Sequence, residues 1–371
     1  MASIGVLAAW LSLAGVARAD WPTFRGDAAL SGYSGERFPN ALALKWSFKT
    51  DGPVKSSPVI AAGKVFVGSN DGHVYALDLN PGAKAWAFKA GDAVEAPPLV
   101  FSNRVYAGCT DFALYALDRD TGEQRWRYQT DGKVMGAANV LILPASNRAA
   151  IVFGSYDNRL HCVDAESGAL VWRCETTGYI NGAPAAAGSN IVFGGCDALV
   201  HVVSTAGQSV REIQAGSYIP GSVATAGGRA YVGHFGNQVL CLDLGDGSVV
   251  WRFAVKEGQF FSTPAVDADH VVIGCRDKAV YCLSRKDGTQ QWAFRARGSV
   301  DSSPVICRDK VVFGSDDGRL YMVSLADGRE LWSYDVGGPI SSSPAVSNGL
   351  VVIGGEDGSV YAFGAVPADG K

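Results

Sequence analysis

Short apolar runs alternate with Asp-Gly turns along most of the chain, in a unit that repeats about every forty residues. The unit at 302–335 contains four runs rich in Val, Ile, Tyr and Phe, and such runs between turns predict antiparallel strands. Seven units end in tryptophan and one has Arg211 at this place; the tryptophans are Trp46, Trp86, Trp126, Trp172, Trp251, Trp292 and Trp332. Eight units of four strands predict an all-β fold, an eight-bladed β-propeller with four-stranded antiparallel blades.

The two ends of the repeat array predict how the ring closes. The array begins with a fourth strand at 43–48 and ends with a third strand at 360–363. We therefore expect the N-terminal strand to join the C-terminal blade, because closure removes sheet edges that would otherwise pair with other chains. The predicted organisation is a signal peptide at 1–19, an N-terminal extension at 20–40, the propeller at 41–366 and a tail at 367–371.

The first residues and the net charge limit the function classes. Residues 1–17 are mostly apolar and uncharged, and Ala17-Arg18-Ala19 forms an A-x-A pattern before Asp20. This predicts a secretory signal peptide rather than a membrane-spanning helix, and hence an exported protein of the periplasm or cell envelope with no transmembrane span after its removal. The net charge of −4 argues against nucleic acid as a partner. We expect a monomer.

The most specific motif joins the third and fourth strands of a unit. Residues 116–126 read A-x-D-x-x-T-G-x-x-x-W, and close variants occur at 76–86, 162–172, 241–251, 282–292 and 322–332. The glycine suits a positive-φ turn, the aspartate caps turn amides, and the tryptophan can bury its face against the next blade. This pattern resembles the tryptophan-docking motif of the PQQ quinoproteins and of the PQQ-like repeat proteins, which include BamB-like outer-membrane assembly factors. The resemblance covers 41–366 and implies the propeller fold; residues 20–26 also resemble the segment that follows the signal peptide in exported PQQ-like repeat proteins.

Polar residues that recur in many units indicate architecture rather than chemistry. Seven loops carry an aspartate at one place: Asp71, Asp111, Asp157, Asp197, Asp277, Asp317 and Asp357. We predict that these aspartates cap turns, since a catalytic acid would be unique to one unit. His161 and His201 hold a position that is tyrosine in five units, which predicts a packing role. No histidine or cysteine spacing is typical of a metal site, and we predict neither a metal nor catalytic residues.

Positions that differ between units are the candidate site. The residues just before the Ser-Ser-Pro pattern should face the central opening, and they include Lys55, Glu95, Met135, Asp301 and Ser341. Aromatic residues collect on blades 4 to 6, which gives a candidate binding rim of Tyr179, Asn181, Tyr218, His234, Phe235, Phe260 and Phe261. The repeat is also irregular there, with Arg211 for tryptophan and Gly236 for aspartate. Such a local rule break flags either a functional site or a sector under less constraint.

Three functions fit these observations. The leading hypothesis is an exported, non-enzymatic scaffold of the BamB-like kind that binds an envelope protein or a surface polysaccharide without a cofactor. An alternative is a PQQ- and Ca²⁺-dependent dehydrogenase, in which Asp301 and Lys55 would act as base and cationic partner. The resemblance implies PQQ and Ca²⁺ over the axis in that case, but the adjacent cysteine pair of the alcohol-oxidising branch is missing. A third hypothesis is glycan binding by stacking on Tyr179, Tyr218 and Phe261.

Overall fold

The computed structural model describes residues 20–144 and 146–367. The predicted signal peptide at 1–19 and residues 368–371 of the predicted tail lie outside the described residues. All regular secondary structure in the described ranges is β-strand. No helix in this part of the chain is long and apolar enough to cross a membrane.

The first half of the chain forms two leading strands and blades 1 to 4. The leading strands are β1 (Tyr33–Ser34) and β2 (Leu42–Lys49). Blade 1 is β3 (Val59–Ala61), β4 (Lys64–Gly68), β5 (His73–Asp78) and β6 (Lys84–Lys89); blade 2 is β7 (Leu99–Phe101), β8 (Arg104–Cys109), β9 (Ala113–Asp118) and β10 (Gln124–Gln129). Blade 3 is β11 (Asn139–Ile142), β12 (Ala149–Gly154), β13 (Arg159–Asp164) and β14 (Leu170–Glu175); blade 4 is β15 (Ala185–Ala187), β16 (Asn190–Gly194), β17 (Leu199–Ser204) and β18 (Ser209–Gln214).

The second half forms blades 5 to 8. Blade 5 is β19 (Ala224–Ala226), β20 (Arg229–His234), β21 (Gln238–Asp243) and β22 (Val249–Ala254); blade 6 is β23 (Ala265–Val266), β24 (His270–Cys275), β25 (Ala279–Ser284) and β26 (Gln290–Arg295). Blade 7 is β27 (Val305–Cys307), β28 (Lys310–Gly314), β29 (Arg319–Ser324) and β30 (Glu330–Asp335). Blade 8 contains β31 (Ala345–Ser347), β32 (Leu350–Gly354) and β33 (Ser359–Ala365).

The ring closes as predicted from the two ends of the repeat array. Blade 8 is completed by β2, which pairs antiparallel with β33, and its sheet order is β2-β33-β32-β31. We call the face of the ring where each innermost strand begins the upper face, and the face where it ends the lower face. The upper face therefore carries the loops between second and third strands and the loops between blades, while the lower face carries the remaining hairpins.

Tryptophans join neighbouring blades near the lower face. Six indole N–H groups donate to a carbonyl of the next blade at 2.6–3.2 Å, namely Trp46 to Leu79, Trp86 to Arg119, Trp126 to Ala165, Trp172 to Thr205, Trp251 to Arg285 and Trp292 to Leu325. Under each of these rings lies a turn glycine with positive φ, where a Cβ would collide with the indole: Gly82, Gly122, Gly168, Gly207, Gly288 and Gly328. Between blades 4 and 5, Arg211 takes the tryptophan's place and donates to the carbonyls of Gly245 and Asp246.

A second seam near the upper face is formed by an apolar residue that precedes each innermost strand. Its side chain packs on a glycine at the last or second-to-last position of the second strand of the preceding blade, where no Cβ would fit. The eight pairs are Val54 on Gly354, Val94 on Gly68, Val134 on Gly108, Ile180 on Gly154, Ile219 on Gly194, Phe260 on Gly233, Val300 on Gly274 and Ile340 on Gly314. These contacts fix the position of the backbone that leads into each innermost strand at the upper opening of the channel.

The N-terminal strap, which we define as residues 20–36, crosses the lower end of the central channel. It hydrogen-bonds to every blade in chain order, with backbone distances of 2.6–3.3 Å to blades 1, 2 and 4 to 7. Asn139 Nδ2 of blade 3 donates to the Ala28 carbonyl at 2.8 Å, and the Glu36 carboxylate accepts the amides of Asn348 and Gly349 in blade 8. The sequence predicted only an extension here, and the structure makes it a ring-spanning element.

Buried side chains of the strap fill the channel from below. Phe24 and Leu30 form a small apolar cluster with alanines of blades 3 and 4, the residues Ala137, Ala183 and Ala185. On the other side, the buried Arg25 guanidinium donates to the carbonyls of Ser303 and Pro304 in blade 7. Burial lowers the pKa of Arg25 to about 9, so the group is still protonated at neutral pH. The upper face is therefore the open end of the channel.

Candidate functional site

Two rings of residues line the upper opening, which we call the mouth. The inner ring precedes the innermost strands and consists of Lys55, Glu95, Met135, Asn181, Pro220, Phe261, Asp301 and Ser341. The second ring lies in the loops between second and third strands and consists of Asn70, Thr110, Tyr156, Cys196, Phe235, Arg276, Asp316 and Glu356. In all eight blades the second-ring amide donates, at 2.9–3.0 Å, to the carbonyl two residues before the inner-ring position. Side chains that vary from blade to blade thus stand on a repeated backbone frame.

The recurring aspartates cap turns, as the sequence predicts. In six blades the carboxylate accepts the amide two residues on, as Asp71 does from His73 at 2.9 Å. In all seven blades it also accepts from the ring four residues on, a tyrosine hydroxyl or the imidazole of His161 or His201. The two histidines lie flat on Phe153 and Phe193, at centroid distances of 5.4 and 4.9 Å. Each aspartate is therefore used within its own blade.

Blade 5 has lost both partners of this arrangement. Gly236 replaces the aspartate and Leu240 replaces the ring that would contact it. His234 fills part of the role, because its Nδ1 accepts the Gly236 amide at 2.9 Å. The aspartate and its ring partner are therefore lost together in blade 5, and His234 caps the turn instead. This explains the Gly236 irregularity in structural terms, without a functional role.

An aromatic sector occupies one side of the mouth, and we define it as Tyr156, Tyr179, Tyr218, Phe235 and Phe261. Tyr179, Tyr218 and Phe235 are exposed by 51%, 59% and 45%. Tyr156 and Tyr179 stack with centroids 4.9 Å apart and planes inclined by 7°, and Phe235 meets Phe261 edge-on at 6.0 Å. This exposed aromatic cluster makes this side of the mouth the candidate binding surface.

Asn181 braces this sector across three blades. Its Oδ1 accepts the Tyr156 hydroxyl at 2.6 Å, and its Nδ2 donates to the Pro220 carbonyl. The amide therefore links blade 3 to blade 5 through blade 4. It holds the aromatic rings in place rather than presenting a free polar group.

Two residues of the predicted rim do not lie on it. Phe260 is fully buried, because it holds the apolar seam position that is valine or isoleucine in the other blades. His234 is buried as well, beneath the loop that it caps. Phe260 occupies the seam position next to the inner ring, whereas His234 ends β20 and turns inward to cap the following loop. The other rim residues, Tyr179, Asn181, Tyr218, Phe235 and Phe261, do line the mouth.

The opposite side of the mouth is an acidic sector, which we define as Asp301, Asp316 and Glu356. Arg276 pairs with Asp301 through two nitrogens, at 2.9 Å from Nε and 2.6 Å from Nη2, and its guanidinium lies 3.3 Å above the Phe261 ring centroid. Ser341 donates to Glu356 at 2.7 Å. Loss of hydration, followed by repulsion from Asp301 and Glu356, raises the pKa of Asp316 to about 6, although the residue keeps contact with solvent.

The remaining predicted residues of the opening are spread around the ring. Glu95 accepts a hydrogen bond from Asn70 Nδ2 at 2.7 Å, Met135 is half-buried and Lys55 is exposed. Asp301, the base of the dehydrogenase alternative, pairs with Arg276, and in the described residues it forms no ion pair with Lys55, the cationic partner of that alternative. Second-ring residues such as Arg276 were missed. Their signal was in the sequence, since the residue before the repeated aspartate differs in every blade.

The described carboxylates at the mouth do not converge as ligands of a calcium ion. Among the described residues, no three His, Cys, Asp or Glu side chains converge in a way that could hold a metal ion. Asp301 is engaged by Arg276, and Glu95 and Glu356 accept from Asn70 and Ser341. A hard cation requires several converging oxygen ligands, which this distribution does not offer.

Comparisons with known proteins agree on the fold. BamB from Moraxella catarrhalis superposes with a TM-score of 0.71 at 20% identity, covering 89% of this chain and 99% of that chain. Quinohemoprotein alcohol dehydrogenase from Comamonas testosteroni gives 0.79 at 15% identity, with 96% and 83% covered. A europium-containing methanol dehydrogenase gives 0.77 at 14% identity, with 94% and 98% covered. These identities support a common fold and nothing finer.

Sequence comparison identifies the family. No curated protein sequence matches the chain. The family model described as outer membrane protein assembly factor BamB matches residues 39–140, 133–217 and 197–368, which together cover the propeller. The chain therefore belongs to this BamB family of PQQ-like repeat propellers.

Proposed function

We propose that this protein is an exported, non-enzymatic scaffold of the cell envelope that binds another envelope protein at its mouth. The observation that carries the proposal is the exposure of Tyr179, Tyr218 and Phe235 together on one rigid frame. Aromatic side chains held without conformational freedom are the usual anchors of protein interfaces, because little entropy is lost on binding. Membership of the BamB family supports an envelope role, and the A-x-A pattern before Asp20 supports export.

The residues at the mouth support the dehydrogenase hypothesis less well than the scaffold hypothesis. The propeller superposes on quinoprotein dehydrogenases, but fold alone does not carry an activity. Three carboxylates at the mouth, Asp301, Glu95 and Glu356, accept from protein groups, and the described carboxylates do not converge as calcium ligands. We therefore place this chain with the binding members of the fold.

The test is capture of a partner from native envelope extracts. A Tyr179→Ser/Tyr218→Ser double variant should recover at least about fivefold less of a specific partner than the wild type, because anchor truncation at an interface costs more than 1 kcal/mol. Tyr33→Ser is the control, since Tyr33 is also an exposed tyrosine, at 43%, and lies on the strap at the lower face. Equal recovery by the double variant and the wild type would refute docking at the mouth.

A further inference from the structure

The acidic sector carries more negative charge than its neighbours balance. Of its three carboxylates, Asp301 alone lies in an ion pair, with Arg276. Within the described ranges, neither Asp316 nor Glu356 has a cationic nitrogen within 4.0 Å. Asp316 also faces Asp301, Glu356 and Asp317, against the single opposing charge of Arg276. A cation supplied from outside would relieve this repulsion.

The chain itself shows how the mouth holds such a cation. The Arg276 guanidinium lies flat on Phe261 and pairs through two nitrogens with Asp301. Stacking on an aromatic face together with a bidentate carboxylate is the geometry in which arginine binds best. The arrangement lies where the aromatic and acidic sectors meet, and the unpaired carboxylates continue directly from it.

The strap at the lower end of the channel limits the shape of a ligand that can enter. Because the strap fills the lower end of the channel, a ligand can enter and leave only through the mouth. The mouth therefore suits a loop or chain end that lies across it, with side chains reaching into the two sectors.

On the basis of the proposed function, we propose that the mouth binds an extended segment of a partner protein in which an arginine or lysine stands next to aromatic or aliphatic side chains. The cationic group would lie against Asp316 and Glu356, and the apolar side chains on Tyr179, Tyr218 and Phe235. Charge complementarity selects the cation, and the exposed aromatic rings provide the apolar contact.

The experiment is peptide selection on the purified protein, with a phage-displayed library of random dodecapeptides. Selected sequences should be enriched in Arg or Lys beside an aromatic residue. A selected peptide should bind about tenfold more weakly when its arginine is replaced by citrulline, in line with the loss of a hydrogen bond to a charged group. Asp316→Asn should show a similar loss, whereas Asp269→Asn, at an exposed carboxylate on the lower face, should bind as the wild type does.

The pH dependence gives a second readout. Affinity of the selected peptide should rise between pH 5 and pH 7, because Asp316 ionises with a pKa of about 6 and then attracts the cation. Asp316→Asn should flatten this part of the profile while it keeps binding through the aromatic sector.

The outcomes separate the two proposals. Enrichment of aromatic peptides without basic residues, lost in Tyr218→Ser, would overturn the cation and keep docking at the mouth. Selection that is unaffected by Tyr218→Ser would overturn both. Binding of glycans on an array, abolished by Tyr218→Ser and without any peptide selected, would assign the aromatic sector to sugar stacking and would also overturn both.

Discussion

Arg211→Trp should stabilise the propeller by completing the one seam where arginine replaces the repeated tryptophan. The receiving turn in blade 5 is intact: Gly247 has φ of +82°, like the glycines under the docked indoles. The Leu244 carbonyl stands where the other seams place the indole acceptor. The substitution therefore inserts a ring into a site that the backbone already forms.

The magnitude follows from buried area. Five docked tryptophans are only 6–9% exposed: Trp46, Trp86, Trp126, Trp251 and Trp292. A side chain of this type buries about 150–250 Å², which at about 25 cal/mol per Å² corresponds to about 4–6 kcal/mol. A compact unfolded state removes about 10–40% of this value. The two carbonyl hydrogen bonds of Arg211, at about 1 kcal/mol each, are lost as well, so we expect a net gain of about 0.5–3 kcal/mol.

The assay is chemical unfolding by guanidinium chloride, followed by near-ultraviolet circular dichroism. Val210→Trp is the matched control, because Val210 lies on the same edge strand, is 52% exposed and does not face the turn glycine Gly247. The control should change stability by less than about 0.5 kcal/mol. The seam argument fails if Arg211→Trp is no more stable than the wild type, or if both variants gain equally.

Three further predictions concern the mouth, the thiols and the strap. Asp316→Asn should raise stability by about 1 kcal/mol at pH 7.5, after allowance for solvent screening. The pKa of Asp316 in the folded protein, about 6, lies above the ordinary 3.8, so wild-type stability falls as pH rises from about 4 to 6. Thermal unfolding should therefore show that the gain vanishes below about pH 4. Ellman's reagent at pH 8 should modify only Cys174 and Cys196 in the native protein, because the other six cysteines are buried; prompt reaction of more than two would contradict their burial. Phe24→Ala should cost about 3 kcal/mol or more and open residues 20–36 to limited proteolysis; an uncut strap would contradict its anchoring role.

Internal repetition made most of the fold readable from sequence. Eight copies can be compared with one another, so a position filled by tryptophan in seven units is recognised as structural. The same comparison assigns the aspartates to turns and predicts that β2 completes blade 8. The strap occurs once and has no copy to compare. Its path depends on hydrogen bonds with eight distant segments, which no local pattern encodes.

The candidate site could be predicted only in part from the sequence, because comparison of the blades shows which positions vary but not how their side chains meet. Tyr179, Tyr218 and Phe261 stood out because their positions vary between blades. Phe260 was misplaced by one residue, since an aromatic side chain in a seam looks like its exposed neighbour. The pairing of Arg276 with Asp301 depends on how loops of adjacent blades approach each other, and that geometry appears only in three dimensions.

The strap also sets an order of events during biogenesis. Residues 20–36 are synthesised before any blade, yet their hydrogen bonds reach blade 8, whose strands β31 to β33 are synthesised last. The strap therefore emerges before every blade and is among the last segments that can reach their native position. Until then its apolar side chains Trp21, Phe24 and Leu30 have no channel to enter. Binding of the strap thus marks a completed ring, and a chain truncated before blade 8 would leave these residues exposed to chaperones and proteases.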